Sequence, residues 1–453
     1  MPEALSEAQR FPWLTTDARA LLQWLHEHPS APRYNHHCGD RLSLAGLARV
    51  RAYEQTLRAT PPGWRLGTLP AWLAEFAAYC YREAPFYRAS GAPPERFADI
   101  PPCSRADLSR APWAFVPDDL PLEDLIVYNT SGVTGHPLDI LSHPETASKY
   151  LPLLRAALAT RGVTLAGGRG PSAGRLSVAI ALVCWQRRTF TYASVSAYLD
   201  GASFTKLNLH PDDWRDPADR ARFLDDCQPE IYSGDPLAFA ELARLPLQTR
   251  PKALISTSMQ LSAALADRLE AHFACPVLDV YAMNECGPIA VATPRGHALL
   301  QHQLYVEILD SVGQVCAPGE RGEVTLSGGF NPFLPLLRYR TGDYASLDFA
   351  GTQPVLVGLA GRQPVVFDGA NGERLNNIDV TAALRGFGLP QYSLRQAADG
   401  ALTLSVPPDT AGHDALRARL LSLFGDGQAL TIAESAALAE GKMVQYTRDD
   451  GSE

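Results

Sequence analysis

A strand–helix–strand stretch decides the fold of this chain. It begins with Ala253-Leu254-Ile255-Ser256-Thr257-Ser258, an apolar run that ends in three hydroxyl side chains. From Leu261 to Phe273 leucine or phenylalanine recurs every four residues, which places these side chains on one face of a predicted helix. A second strand is predicted from Pro276 to Tyr281. Such a unit predicts parallel strands joined by a right-handed crossover, in a sheet that helices cover on both faces.

The polar residues of this unit follow its two strands. In sheets of this kind ligands bind beyond the carboxyl ends of the strands. Ser256, Thr257 and Ser258 lie at the first such end, and the segment from Tyr281 to Glu285 lies at the second. The ring of Tyr281 is suited to stack on a base, and the carboxylate of Glu285 is suited to hold a divalent cation.

A loop rich in glycine and hydroxyl groups precedes the unit. It reads Thr130-Ser131-Gly132-Val133-Thr134-Gly135-His136-Pro137. Glycine lets backbone N–H groups face a ligand and the hydroxyls add donors, so the loop suits a polyphosphate. It is not a Walker A loop, because the pattern G-x-x-x-x-G-K-[ST] is absent. Taken alone, an ordinary Ser/Thr/Gly turn explains the octapeptide equally well.

A third polar segment lies further along the chain. It reads Pro335-Leu336-Leu337-Arg338-Tyr339-Arg340-Thr341-Gly342-Asp343. A carboxylate after a tight Thr-Gly turn can accept both hydroxyls of a ribose, as acidic residues do in other nucleotide sites. The alternative is an Asx turn on the surface.

Composition narrows the class of protein. With 453 residues, 46% of them hydrophobic and 20% charged, the chain predicts a globular protein of two or more domains. The net charge is −9 without a basic block, so we expect no nucleic-acid partner. No apolar run approaches the roughly 20 residues of a membrane span, and no signal pattern opens the chain. Eight cysteines without a C-x-x-C pair indicate reduced thiols and a cytoplasmic location.

Two sets of residues raise the alternative of a metal site. Cys286, His297, His302 and Cys316 are of the types that bind structural zinc, but their spacing alone does not predict a site. The run His36-His37-Cys38 has no second ligand pair at zinc-like spacing, so a polar turn is the better interpretation there.

The chain is expected to form an α/β fold of two domains. Residues 1–360 are predicted to form a large domain with parallel or mixed sheets covered by helices, plus a β-rich subdomain. Residues 361–453 are predicted to form a small α+β domain, with strands at 402–406 and 429–432, a helix at 413–424 and a linker at 358–362.

Together these segments resemble the adenylate-forming (acyl-CoA synthetase) superfamily, and within it the phenylacetate–CoA ligase group. The family loop T-S-G-T-T-G-K-P matches Thr130 to Pro137 except at two positions, and Y-G-x-[ST]-E is matched by Tyr281 to Glu285. Y-R-T-G-D is intact at Tyr339 to Asp343, and Pro335 to Arg338 fits the P-L-[IL]-R of this group. The resemblance covers roughly residues 70–453.

The resemblance implies an enzyme with two half-reactions, between which the small domain rotates. A small aromatic or similarly compact carboxylic acid attacks the α-phosphate of ATP, giving an acyl-adenylate and pyrophosphate, with Mg²⁺ present. A thiol then displaces AMP. Coenzyme A is the expected thiol, and the phosphopantetheine arm of an acyl carrier protein is the alternative. The oligomeric state is left open, with a dimer as one possibility.

The resemblance also implies roles for individual residues. Asp343 would bind the ribose hydroxyls, Tyr281 the adenine, and Glu285 the metal. Lys442 matches the mobile lysine that meets the α-phosphate and the carboxylate, and Arg362 matches the arginine near the hinge. The β- and γ-phosphates would contact Thr130, Ser131, Gly132, Thr134 and Gly135, with His136 among the catalytic residues. Further nucleotide contacts are predicted for Ser256, Thr257, Ser258, Met283, Asn284 and Arg340.

Several departures from the family pattern bear on the predicted site. His136 replaces the loop lysine and so removes a permanent cation at neutral pH. Ser256 to Ser258 replace the usual G-G-E, Asn284 stands where Ser or Thr is usual, and Pro364 stiffens the hinge position. These departures motivate one alternative of another class, a catalytically silent nucleotide-binding homologue.

Overall fold

The computed structural model describes residues 5–59, 64–65, 68–130, 138–167, 178–185, 189–361, 366–370, 372, 374–376, 380, 383–387, 389, 392–435 and 446–449. Its helices are α1 (Glu7–Arg10), α2 (Thr16–Glu27), α3 (Leu44–Ala59), α4 (Ala71–Glu83), α5 (Pro85–Arg88), α6 (Arg105–Arg110), α7 (Pro144–Ala159), α8 (Asp219–Cys227), α9 (Pro236–Leu242), α10 (Ala263–Phe273) and α11 (His413–Phe424).

The strands follow in chain order. They are β1 (Cys103–Ser104), β2 (Ile126–Thr130), β3 (Leu138–Ser142), β4 (Ile180–Cys184), β5 (Tyr192–Ser196), β6 (Ala202–Asn208), β7 (Ile231–Gly234), β8 (Ala253–Ser256), β9 (Val277–Met283), β10 (Gly287–Thr293), β11 (Gly296–Leu299), β12 (Leu304–Leu309), β13 (Gly322–Gly328), β14 (Leu336–Ala350), β15 (Gln353–Gly361), β16 (Val366–Asp368), β17 (Arg374–Asn376), β18 (Ser393–Gln396), β19 (Leu402–Val406), β20 (Leu430–Glu434) and β21 (Tyr446–Arg448).

The predicted strand–helix–strand unit is present as β8, α10 and β9. The two strands are parallel and in contact, with Ser256 opposite Asp279. Leu265, Leu269 and Phe273 on α10 are buried, as the spacing predicts. The helix starts later than expected, because the side chain of Ser262 accepts a hydrogen bond from the backbone N–H of Leu265 and so caps the helix N-terminus.

One large mixed sheet contains this unit. Its order is β12-β13-β14-β15-β11-β10-β9-β8-β7-β4-β6-β5, and β1 pairs with β14 as a thirteenth strand. Strands β9, β8, β7, β4 and β6 are parallel neighbours. From β10 to β15 the pairing is antiparallel, because consecutive strands are joined by short connections. The predicted α/β fold with a mixed sheet and a β-rich part is confirmed.

The parallel strands are buried on both faces. Leu254 faces a core that also holds Leu21, Leu22 and Leu25 of α2, which the sequence predicts to share one face of a helix. Its neighbour Ile255 faces a second core, which includes residues of α7. Alternate residues of one strand therefore enter different cores, as expected for strands that lie between two layers of helices.

Two predicted elements are placed differently. The sequence predicts a charged helix between Trp214 and Phe223. In the structure this helix is α8, and it starts at Asp219, because Asp216 accepts backbone hydrogen bonds from Ala218 and Asp219 in a turn ahead of it. Residues 358–361 of the expected linker are the end of β15, which pairs with β14 at Asp343 opposite Gly361.

Residues near the carboxyl terminus share a core of their own. It runs from Phe367 to Tyr446 and includes the buried face of α11. The order β20-β19-β18-β21 forms a separate four-stranded sheet. The strand at 402–406 and the helix at 413–424 have the predicted bounds. The division at residues 360 and 361, and the rotation of the small domain, stay predictions. Among the described residues no helix is long and apolar enough to cross a bilayer.

Candidate functional site

Two of the predicted segments meet in the structure at one hydrogen bond. The hydroxyl of Tyr281, near the end of β9, donates to Oδ2 of Asp343 in β14 at 2.6 Å. Burial, together with the negative charge of Asp343, raises the pKa of Tyr281 well above its ordinary value. The phenol therefore stays protonated at neutral pH and acts as a donor to the carboxylate.

The position of Asp343 depends on the residues just before it. Gly342 has a φ of +77°, in the left-handed region that favours glycine, and its N–H donates to Glu323 at 2.9 Å. The backbone N–H of Asp343 donates to Oγ1 of Thr341 at 3.1 Å. The expected tight turn is thus an irregular part of β14, and Asp343 is half-buried rather than in an Asx turn on the surface.

Glu285 is the buried acid of the site. It is 3% exposed, and its Oε1 accepts two hydrogen bonds, from the hydroxyl of Tyr339 at 3.1 Å and from Nη1 of Arg105 at 2.9 Å. Burial, and next the charge of Glu285, raise the pKa of Tyr339 well above its ordinary value, so this phenol also donates. The end of β9, strand β14 and the start of α6 meet at this carboxylate.

Sequence reasoning missed Arg105. One signal in the sequence could have drawn attention to it. Arg105 is the first residue of α6 and follows Ser104, which the sequence predicts to be the N-cap of a helix. A cation at this position faces the positive end of the helix dipole. Such a placement favours an acidic partner elsewhere in the chain. The partner, Glu285, is 180 residues away and cannot be named from spacing.

The other arginines of the third segment make contacts within the β-rich part. Nε of Arg340 donates to Glu323 at 2.6 Å, and its Nη2 reaches the carbonyl of Asp310 at 3.3 Å. Arg338 is 2% exposed and bonds Glu307 at 3.1 Å. The predicted nucleotide contact of Arg340 stays a prediction.

The hydroxyl segment after β8 presents its side chains in different ways. Ser256 is fully buried, and its Oγ has no partner among the described residues. Thr257 and Ser258 are more accessible, with their hydroxyl oxygens 3.4 Å apart, and Ser258 has a φ of +72°. This strained backbone turns the chain at the strand edge, so that two neighbouring hydroxyls face outward there.

Met283 ends β9, and Asn284 follows it. The backbone carbonyl of Met283 accepts a hydrogen bond from the hydroxyl of Tyr150 at 3.4 Å, while Asn284 is exposed. The ring of Tyr150 meets that of Phe330 edge-on, with centroids 5.7 Å apart. Aromatic side chains therefore flank the strand end that carries the predicted site.

Several predicted site residues lie outside the described residues. Thr130 is the last residue of β2 and pairs with Leu138, the first residue of β3. These strands bracket the predicted phosphate loop. The residues outside are Ser131, Gly132, Thr134, Gly135 and His136 of that loop, with Arg362, Pro364 and Lys442.

The zinc alternative finds no support. Among the described residues no group of three or more His, Cys, Asp or Glu side chains could hold a metal ion. His297 instead contacts Asp279 at 3.3 Å, and Sγ of Cys316 lies 4.0 Å from the carbonyl of Arg321. The eight cysteines are free thiols.

Comparison of whole structures identifies the fold. No family model and no curated protein matches the sequence. A crystal structure of 2-hydroxyisobutyryl-CoA ligase in the postadenylation state, in complex with 2-HIB-AMP, aligns with a TM-score of 0.57 and 20% identity over 83% of this chain and 88% of that chain. The chain has the fold of an adenylate-forming CoA ligase. The same ligase in complex with R3-HIB-AMP aligns with a TM-score of 0.55 and 19% identity, over 83% and 88% of the two chains.

Proposed function

We propose that this protein is an ATP-dependent ligase that activates a carboxylic acid as its adenylate and transfers the acyl group to a thiol. The observation that carries the proposal is the convergence of Tyr281, Asp343 and Glu285 at one edge of the sheet. Two sequence motifs that are far apart supply these residues, and hydrogen bonds join the two motifs. The likeness in fold to a CoA ligase adds support.

The first half-reaction is a displacement at phosphorus. A carboxylate oxygen forms a bond to the α-phosphorus of ATP, the bond to the β-phosphate oxygen breaks, and pyrophosphate leaves. Positioning and charge neutralisation provide most of the catalysis in such a reaction. In the proposal Asp343 accepts the ribose hydroxyls, Tyr281 stacks on the adenine, and Lys442 meets the oxygens of the α-phosphate and the acid.

The second half-reaction is thiolysis. The thiol sulfur bonds to the acyl carbon, the bond to the phosphate oxygen breaks, AMP leaves and the thiol proton passes to solvent. Coenzyme A is the proposed thiol, with a phosphopantetheine arm as the alternative. Arg362 matches the arginine that lies near the hinge in the family that the sequence resembles.

The residues present are suited to a magnesium nucleotide. Mg²⁺ takes oxygen ligands, retains several waters and is usually bound through one or two carboxylates plus the phosphates of the substrate. Glu285 provides one such carboxylate, and its Oε2 accepts no hydrogen bond from the described residues. When bound, Mg²⁺ would neutralise charge on the phosphates. Glu285 would hold it, and the buried Tyr339 would orient that carboxylate.

For the acid we propose a compact molecule, as in the phenylacetate–CoA ligase group. Tyr150 and Phe330 stand beside the end of β9. Phe330 is closely packed there, since a Cβ on Gly287 would come within 2.5 Å of its ring. Large aromatic side chains so close to the proposed reaction centre leave little room for a long acyl chain and support a small aryl or branched acid.

The test is carboxylate-dependent release of pyrophosphate from Mg-ATP. The panel contains benzoate, phenylacetate, 2-hydroxyisobutyrate and fatty acids of increasing length. We expect release with a subset of the compact acids. At an ATP concentration near the wild-type Kd, Asp343→Ala should lower the release strongly. Asp348→Ala is the matched control, because Asp348 lies on the same strand but is exposed and paired with Arg295.

The outcomes separate the proposal from its alternative. ATP binding without pyrophosphate release from any acid would indicate the catalytically silent homologue. Absence of ATP binding would contradict the proposed function as a whole.

A further inference from the structure

The start of α6 is held rigidly against strand β14. The two residues of β1 pair in parallel with β14, Cys103 opposite Tyr339 and Ser104 opposite Arg340. Ser104 and Asp107 then form a capping box, in which each side chain bonds the backbone N–H of the other residue. Arg105 follows directly, so the strand pairing and the capping box together fix its backbone next to the Ser104–Arg340 pair. The position of its guanidinium near Glu285 is therefore built into the fold.

The two members of the Arg105–Glu285 pair differ in their access to solvent. The Glu285 side chain is 3% exposed and the Arg105 side chain 41% exposed. Behind Glu285 lies a cavity of about 10 Å³, too small for a hydrated ion, whose other lining residues are mostly apolar. Arg105 therefore covers the more accessible side of this carboxylate. Two cations on one carboxylate repel each other, so Arg105 and a metal ion oppose each other's binding to Glu285.

Arg105 also has the chemistry of a phosphate ligand. Guanidinium binds phosphate oxygens through two parallel donors and stays charged at all physiological pH values. The loop that would face the phosphates carries His136 in place of a lysine, so it offers no permanent cation. A metal ion on Glu285 would repel Arg105 and weaken its bond to that carboxylate. The phosphates of the nucleotide that binds with the metal ion would then offer strong acceptors to Arg105.

We propose that Arg105 is a phosphate-binding residue that pairs with Glu285 while the site is empty and exchanges to the polyphosphate when the metal nucleotide binds. The proposal rests on the proposed function. It assigns two linked effects to one side chain: Arg105 weakens the binding of free metal ion to Glu285 and strengthens the binding of the nucleotide. A residue with a purely structural role would not produce these opposite effects.

The test measures two binding affinities of the full chain. Mg-ATP binding is measured by calorimetry at saturating Mg²⁺, and Mn²⁺ binding by electron paramagnetic resonance without nucleotide. For Arg105→Gln we expect ATP to bind about tenfold more weakly, since a charge-assisted contact is lost. Mn²⁺ should bind about threefold or more tightly, because Glu285 no longer has a competing cation.

Two further variants complete the design. Arg110→Gln is the matched control, since Arg110 lies on the same helix, is largely exposed and pairs with Asp107, and both affinities should stay at the wild-type values. Arg105→Lys keeps the positive charge but loses the two parallel donors of the guanidinium. ATP should therefore bind about threefold more weakly, while the Mn²⁺ affinity is unchanged. If Arg105→Gln does not fold, the ATP affinity of Arg105→Lys tests the proposal.

The results distinguish the role of Arg105 from the proposed ligase function. Unchanged ATP affinity in both Arg105 variants, or weaker Mn²⁺ binding in Arg105→Gln, would overturn the role of Arg105 and leave the proposed function standing. Failure of the wild-type protein to bind Mg-ATP would overturn the role of Arg105 and the proposed function together.

Discussion

The hydroxyl of Tyr281 donates to the carboxylate of Asp343 at 2.6 Å, across 62 positions of the sequence. This bond links the last parallel strand of the sheet to the long antiparallel strand of the β-rich part. In the proposed site the same two residues contact neighbouring parts of one nucleotide, the adenine and the ribose. The contact therefore aligns two recognition groups before the nucleotide arrives, which lowers the cost of ordering them on binding.

Asp343→Ala is expected to weaken ATP binding by about ten- to hundredfold, because the charged acceptor of the ribose hydroxyls is lost. Tyr281→Phe keeps the ring and removes only the hydroxyl that orients Asp343, so its loss should be smaller, about two- to fivefold. Calorimetric titration with ATP measures both. A larger loss for Tyr281→Phe than for Asp343→Ala would contradict the assignment of the ribose contact.

Lys442→Ala is expected to slow adenylate formation by about a hundredfold or more, because the proposed cation at the reacting oxygens is absent. Thiolysis of supplied acyl-adenylate should be spared. Pyrophosphate release and thioester formation from synthetic acyl-AMP measure the two steps separately. Lys252→Ala, which removes an ion pair with Glu230, is the control. Equal losses in both steps, or in neither, would show that the role given to Lys442 is wrong.

Arg338→Met is expected to destabilise the fold by about 3–5 kcal/mol, since it leaves the carboxylate of Glu307 buried without its counter-ion. Adding Glu307→Leu should restore part of the free energy of unfolding. The recovery is incomplete because Arg338 also donates to the carbonyls of Ala98 and Ile100. Urea unfolding measures these values.

The control for this pair is the exposed bridge between Arg295 and Asp348, 57% and 56% exposed. Arg295→Met should cost only about 0–1 kcal/mol. Comparable losses at the two arginines would contradict the importance of burial.

Stability is expected to fall as the pH drops below the ordinary value of 6.5 for histidine, partly through His302. Burial lowers the pKa of His302 in the folded state, and its Nε2 is buried without a partner among the described residues. As the pH falls, the unfolded chain therefore takes up the proton first. The contribution of His302 to the free energy of unfolding is complete above pH 6.5 and declines as the pH falls towards the lower folded-state pKa.

Replacing this histidine isolates its contribution. Glutamine at position 302 cannot take up a proton. In His302→Gln the free energy of unfolding should therefore change less between about pH 7.5 and 5.5 than it does in the wild type. Urea unfolding at several pH values is the measurement. His272→Gln, on the exposed side of α10, should leave the wild-type slope unchanged. An identical slope in His302→Gln and the wild type would refute the assignment.

Local patterns predicted many elements well. The N-cap at Ser104, the helix at 413–424 and the strand at 402–406 all follow from neighbouring residues, and all are present. Where the prediction was wrong, the cause was a distant partner or a nearby turn. Residues 358–361 look like a glycine-containing linker, but pairing with β14 makes them strand. A turn at Asp216 delays the start of α8.

The sequence by itself determined the alternation of strands and helices, the polar residues at the strand ends and the order of the motifs. These follow from periodicity and residue type, which act over a few positions. Tertiary structure alone decided that Tyr281 bonds Asp343, that Arg105 bonds Glu285, and that Arg338 is buried with Glu307. Such pairs depend on how a thirteen-stranded sheet brings distant segments together. The physical reason is that hydrogen bonds and ion pairs are made in space, between residues whose separation along the chain carries no information about their contact.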